Sequence, residues 1–367
     1  MTQLVLLGGG HAHLQVLRGL AEAPLERTAQ VTLVSPFPHL VYSGMVPGWL
    51  AGHYQGDDCS IALGPLAARC GARLVQTVAV GLDPVARRLR LDDGREVGYD
   101  VLSVDIGAVM SRDAIPGASE HAVFVRPMEQ FMQRLQAALT RAAPPVREVM
   151  VVGGGAAGVE LALALKHRLG AASRVGIVTG GPPVLEAYPA AARRLGLRAL
   201  RHRSIALYEQ HCLRISADRL TLGDGEQLRC NLAVLAIGAS APGWLGSSGL
   251  ALDERGFIAT GATLQSTSHA QVFAAGDVAS RIDAPRPRSG VYAVRAGPPL
   301  ALNLRRFVEG EPLQRYLPQT RSLNLLACGE QRAIASWGRF SVEGRWAWRW
   351  KDRIDRRFVG QFQEAAT

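Results

Sequence analysis

The chain has 367 residues, 48% of them apolar, and 41 lysines and arginines against 31 acids leave a net charge of +10. That length is enough for two domains with real cores, and a mean hydropathy of +0.07 marks a soluble globular protein and excludes a disordered one. Lys166 and Lys351 are the only lysines, so the basic charge is nearly all arginine, and no nucleic-acid motif accompanies it. No nucleic-acid partner is expected. An arginine-favouring genome, dinucleotide phosphates and an anionic membrane surface remain as readings of the charge.

In chain order, the first predicted element is a short apolar strand, Leu4-Val5-Leu6-Leu7, running into Gly8-Gly9-Gly10-His11-Ala12-His13. Leu14, Val16, Leu17 and Leu20 follow at helical spacing. A strand, a tight glycine turn and an immediate helix set backbone N–H groups and a helix N-terminus against a pyrophosphate. A second strand, Val31-Thr32-Leu33-Val34, ends at Ser35. The dinucleotide fingerprint usually has a ribose-binding acid there, and a hydroxyl makes fewer bonds than a carboxylate. The loop Tyr42-Ser43-Gly44-Met45-Val46-Pro47-Gly48 comes next, and Tyr99 to Gly107 forms a further core strand closed by a glycine.

The pattern then repeats. Val149-Met150-Val151-Val152 runs into Gly153-Gly154-Gly155-Ala156-Ala157-Gly158, with Val159, Leu161, Leu163 and Leu165 behind it. Its partner strand, Arg174 to Val178, ends at Thr179, again without an acid. Strand-turn-strand patterns at Leu89 to Val97 and Leu220 to Leu228 precede the returning core strand of each half. Such internal duplication predicts two related modules, each a parallel sheet wrapped by helices with its ligand at the carboxyl ends of the strands. Two dinucleotides side by side is how a flavin meets a nicotinamide.

A buried strand closed by Gly276-Asp277, at Val272 to Asp277, makes the pair of loops specific. With Ile115-Pro116-Gly117 and Leu235 to Pro242 (including Gly238) as crossovers, the chain resembles the pyridine nucleotide-disulfide oxidoreductase superfamily over nearly its whole length. The string Gly-Gly-Gly-His-Ala-His and the Tyr42 to Gly48 loop resemble the flavoprotein domain often fused to selenophosphate synthase, itself similar to type II NADH dehydrogenases. The resemblance implies an α/β fold of two Rossmann-like dinucleotide-binding domains, one inserted in the other. The FAD domain is then residues 1–112 and 242–325, the NAD(P)H domain 113–241, and a short C-terminal segment 326–367.

The resemblance also implies site residues. FAD is expected at Gly8, Gly10, His11, Ala12, His13, Ser35, Gly44, Met45, Gly107, Gly276 and Asp277, with Asp277 at the ribityl chain. NADH or NADPH is expected at Gly153, Gly155, Ala156, Gly158, Glu160, Thr179 and Gly238. Tyr42, Ser43, Gly44, Met45 and Glu160 are the candidates beside the flavin ring. The third fingerprint glycine of the first loop is replaced by His13, and packing or phosphate contact is expected of His11 and His13. Neither histidine has a carboxylate or cysteine near it in sequence, so no metal site is expected.

Cys59, Cys70, Cys212, Cys230 and Cys328 are odd in number, without C-x-x-C spacing, and the Tyr42 loop has no cysteine. Reduced thiols in a cytoplasmic setting follow, and no redox-active disulfide. Electrons are therefore expected to pass from NAD(P)H through the flavin directly to a quinone or other small acceptor. Two alternatives are a flavoprotein acting on a sulfur or selenium compound with a merely structural nicotinamide domain, and a non-catalytic flavin-binding module. At the C-terminus, Trp346, Trp350, Ile354, Phe358 and Phe362 recur every fourth residue, with Arg349, Lys351, Arg353, Arg356 and Arg357 between them. One helix face is expected, lying on the inner face of the membrane, on a homodimer partner or on the protein's own core.

Overall fold

The computed structural model describes residues 1–25, 28–141 and 145–363. The first sheet has five parallel strands in the order Val272–Ala274, Val101–Val104, Thr2–Leu7, Ala29–Ser35, Arg73–Gln76. The second repeats the plan with Ala122–Phe124, Leu232–Leu235, Glu148–Val152, Arg174–Val178 and Ala206–Tyr208. In each sheet the central strand is the one that feeds a glycine loop. These central strands are apolar on successive residues because both faces are covered: Leu4, Val5, Leu6 and Leu7 are all buried, as are Val149 to Val152. The expected wrapping by helices is corrected in the first sheet, where Leu4 and Leu6 cluster with Leu14, Leu17 and Leu300, residues that lie on helices, but Val5 and Leu7 cluster with Leu82, Leu89 and Leu91, residues of an antiparallel sheet. The fold class is α/β with two Rossmann-like units. The strand Val272–Ala274 rejoins the first sheet only after the whole second sheet has been traversed.

The two predicted hairpins form three-stranded antiparallel sheets, Ala79–Asp83 with Arg88–Leu91 and Glu96–Gly98, and Cys212–Ile215 with Arg219–Leu222 and Gln227–Arg229. The uncharged residues Cys230 to Leu252 include the buried strand Leu232–Leu235 and a loop with one 3₁₀ turn. Among the described residues, no helix is long and apolar enough to cross a membrane.

An antiparallel sheet of Leu323–Ala327, Ala333–Trp337 and Phe340–Gly344 leads into the helix Arg345–Gln363. Here the expected single aromatic face is corrected. Trp346, Trp350 and Ile354 are exposed, whereas Phe358 and Phe362 are buried, as is Trp348, which lies off the stripe. At 3.6 residues per turn a step of four overshoots by about 40°, so five residues sweep about 160° of the helix. The stripe therefore leaves solvent at its start and enters the core at its end.

Candidate active site

The central strand Thr2–Leu7 carries Gly8 to the carboxyl edge of the first sheet, where a cleft of about 430 Å³ opens. Gly8, Gly10, His11, Ser35, Gly107 and Asp277 line it, so these expected residues converge on one space. From the Tyr42 loop, Ser43 lines the cleft. Gly44 instead accepts a 2.6 Å hydrogen bond from Lys351 through its carbonyl, and Met45 is fully buried.

Asp105 closes the apolar strand Val101–Val104 and is 3% exposed. Its Oδ2 accepts the backbone N–H groups of Ala12 and His13 at 2.8 and 2.9 Å. These are first-turn donors of the helix His11–Glu22, and a carboxylate there also meets the positive end of the helix dipole. Burial still dominates and pushes the Asp105 carboxyl up to about 6. The fit depends on Gly10 and Gly276, where any Cβ would collide with the Asp105 side chain. The glycines of this loop thus make room for a protein carboxylate as well as a ligand.

His13 is fully buried behind the loop. Its Nδ1 lies 2.6 Å from the Gly8 carbonyl and its Nε2 2.8 Å from the Ser103 hydroxyl. A carbonyl can only accept, so Nδ1 carries the proton and Nε2 accepts from Ser103. Desolvation lowers the ring to about 4 and keeps it neutral. His13 replaces the close backbone packing of a glycine with two hydrogen bonds. The second loop keeps the glycine: a Cβ at Gly158 would collide with the Gly153 carbonyl.

His11 stacks toward Phe358 at 6.3 Å and tilts against Tyr42 at 5.6 Å. Burial lowers its pKa, and its Nε2 is buried without a partner among the described residues. Asp277 accepts a 2.8 Å bond from Arg126, whose side chain also lines the cleft. Glu129 accepts the Val41 N–H at 3.1 Å, and burial raises its carboxyl. Asp105, Arg126 and Glu129 were not singled out from sequence. An acid ending an apolar strand was a usable signal for Asp105; an arginine before a proline and an acid in a helix first turn gave none.

At the second loop, the helix Ala156–Leu169 starts at Gly155 with no side-chain cap and no acid in its first turn. Among the described residues, its first-turn donors face no carboxylate comparable to Asp105. Gly155 and Gly238 are exposed, Ala156 is half-buried, and the Thr179 Oγ1 is buried without a partner among the described residues. Glu160 turns to the C-terminal sheet, where its Oε1 accepts the Ala327 N–H at 2.7 Å. Burial pushes its carboxyl up to about 7, against the opposing charge of Lys351. Lys351 pairs with Asp355 at 2.6 Å, both within the core. Asp355 also faces the Tyr42 hydroxyl, so this network ties the terminal helix to the Tyr42 loop.

Cys59, Cys70, Cys230 and Cys328 are buried and Cys212 is half-buried, all as free thiols. Burial pushes Cys59 and Cys328 up to about 12 and Cys212 and Cys230 up to about 11. None lines the cleft.

The sequence profile of the pyridine nucleotide-disulphide oxidoreductases matches residues 2–297. Demethylphylloquinone reductase NdbB of Synechocystis sp. is 25% identical over 352 residues, covering 91% of this chain and 86% of that protein. Among solved structures, the sulfide:quinone oxidoreductase of Aquifex aeolicus has a TM-score of 0.82 at 18% identity, covering 100% of this chain and 92% of that one. NDH2 of Plasmodium falciparum, in complex with NADH, has a TM-score of 0.80 at 13% identity, with 99% and 98% covered.

Proposed function

The chain belongs to the pyridine nucleotide-disulphide oxidoreductase family, and from that premise we propose that it oxidises NAD(P)H and reduces a quinone through bound FAD. It is an NAD(P)H-dependent oxidoreductase of the type II NADH dehydrogenase-like kind. In this reading residues 1–112 and 242–325 hold FAD, 113–241 hold the nicotinamide cofactor, and 326–367 form the acceptor-side segment. The observation that carries it is the contrast between two equivalent strand-end sites, one opening into a large cleft, the other an uncapped helix N-terminus.

FAD fits the cleft by its volume and by the unpartnered His11 Nε2 in its wall. The flavin supplies one- and two-electron chemistry when bound. Gly8 and Gly10 let the backbone approach the pyrophosphate, Asp277 takes the ribityl chain while Arg126 holds its carboxylate in place, and Ser35 faces the adenosine ribose. At the second loop, the backbone from Gly153 to Gly158 takes the nicotinamide pyrophosphate and Thr179 the adenosine ribose. With no carboxylate at Thr179 to repel a 2′-phosphate, NADH and NADPH are both admitted.

A quinone as acceptor is supported by the thiols, none of which lines the cleft, and by NdbB, named a demethylphylloquinone reductase. A surface of Trp337, Phe340, Val342, Trp346, Trp350 and Ile354 adds to this, since it leaves large apolar side chains in water. Phe340 is 68% exposed, and Trp346 stacks on Trp350 at 6.2 Å. Arg339, Arg345, Arg349 and Arg353 are interleaved in the same segment, the composition of a peripheral contact with an anionic membrane. The Trp346→Ser/Trp350→Ser variant should lose binding to anionic liposomes while keeping its flavin; unchanged binding would remove the membrane from this reading.

Anaerobic bleaching of the flavin by NADH or NADPH, followed by a screen of quinone acceptors, tests the function. Gly155→Val isolates the nicotinamide site, because a Cβ at Gly155 meets nothing within 4 Å and its φ of −72° suits any residue. That variant should bind FAD normally and show a raised KM for the nicotinamide. Absence of bleaching by either nucleotide in the native protein would overturn the proposal.

A further inference from the structure

A second, smaller cavity of about 70 Å³ lies beside the flavin cleft and shares Asp277 and Ala293 with it. Its wall includes Arg281, Arg286, Arg288, Ser289, Tyr292 and Tyr316. The Arg281 side chain is only 9% exposed. It grips Asp283 through Nε at 2.9 Å and Nη2 at 3.0 Å, yet its Nη1 is buried without a partner among the described residues. The Tyr316 hydroxyl, under the same guanidinium with its ring centroid at 5.6 Å, is also buried and unpartnered. Two unsatisfied polar groups lining one cavity point to something that accepts from both.

The charge in the cavity selects an anion. Asp283 is engaged by Arg281, Asp253 by Arg288, and Asp277 by Arg126. Arg286 has no carboxylate partner among the described residues: it donates to the carbonyls of Gln319 at 3.0 Å, Pro285 at 2.8 Å and Pro318 at 3.2 Å. A half-buried guanidinium held only by carbonyl dipoles has no carboxylate to compensate its charge. The 20-residue helix Gly290–Glu309 also begins at this wall, with Ser289 making no side-chain cap and no acid in its first turn. Its N-terminus, whose first residue Gly290 lines the larger cleft while Ser289 and Tyr292 line this cavity, adds positive potential between the two.

We propose that this cavity binds a compact oxyanion, a phosphate or carboxylate group, gripped by the Arg281 Nη1, the Tyr316 hydroxyl and the helix start. The volume admits such a group and is too small for a nucleotide. The same chemistry arises from a free oxyanion or from an acidic substituent on the electron acceptor. The proposal concerns binding alone and stands whether or not NAD(P)H is the donor.

The test is calorimetric titration of the FAD-loaded protein with inorganic phosphate and with acetate, at ionic strength held constant with chloride. Saturable binding of at least one is expected. It should weaken about tenfold or more in Arg281→Gln, where a charge-assisted donor is lost, and by less in Tyr316→Phe. An unchanged flavin spectrum verifies that each variant is folded. Should Arg281→Gln lose its flavin, Tyr316→Phe, which deletes only the unpartnered hydroxyl, decides alone. No saturable binding at millimolar phosphate or acetate, or native affinity in the folded variants, overturns the proposal. The source is then read from steady-state kinetics with a neutral and a carboxylate-bearing quinone. Phosphate raising the KM of the acidic quinone alone assigns the site to the acceptor, and phosphate binding that alters neither KM assigns it to a free oxyanion.

Discussion

Asp105 offers the sharpest perturbation, because its carboxylate serves the first glycine loop and carries a displaced pKa. In Asp105→Ala the N–H groups of Ala12 and His13 lose their acceptor in the core. An unsatisfied buried donor costs about 1–3 kcal/mol, so the pair amounts to about 2–6 kcal/mol. Asp105→Asn keeps an oxygen for both donors and cannot ionise. In the native protein burial raises the carboxyl from 3.8 to about 6. A folded-state pKa above the unfolded one means that the stability it contributes is fully present below about pH 4. It is lost as pH rises through about 6, by about 3 kcal/mol for a shift of roughly two units. Native stability should therefore fall relative to Asp105→Asn across that window, while Asp105→Ala stays below both at neutral pH. Urea unfolding of the FAD-loaded proteins at pH 4.5, 6 and 8, followed by release of flavin fluorescence, measures this ordering. If Asp105→Ala matches Asp105→Asn, or if the gap between native and Asp105→Asn ignores pH, the carboxylate does not hold the loop.

His13→Gly restores the usual third glycine but strands the Ser103 hydroxyl, so thermal unfolding should show a loss of about 1–3 kcal/mol or more; a gain would refute the assigned role. Lys351→Met leaves Asp355 as an unpaired buried charge, a change worth about 3–5 kcal/mol. Limited proteolysis should then cut within Arg345–Gln363, and adding Asp355→Leu should restore most of the protection. With Cys59 and Cys328 held up to about 12 by burial, native protein at pH 8 should resist iodoacetamide, and turnover should survive replacement of all five cysteines. A charge-transfer band on reduction that disappears in Cys59→Ser or Cys328→Ser would contradict that.

The sequence alone determined what depends on neighbours along the chain. A run of apolar residues, a glycine turn and helical spacing are local signals, so both strand-loop-helix units, the Gly276-Asp277 strand end and the two hairpins were legible, as was their order. The duplicated plan followed from that order. Tertiary structure decided whatever depends on distant partners. Ser103 lies 90 residues beyond His13, and it is this hydroxyl, with the Gly8 carbonyl, that makes the histidine a structural replacement for glycine. Arg126 meets Asp277 across 151 positions, and no periodicity announces such a pair. The terminal helix shows the same limit in geometry. Its spacing of four identified apolar residues correctly, but an α-helix turns every 3.6 residues, and only packing determined where the stripe passes from solvent into the core.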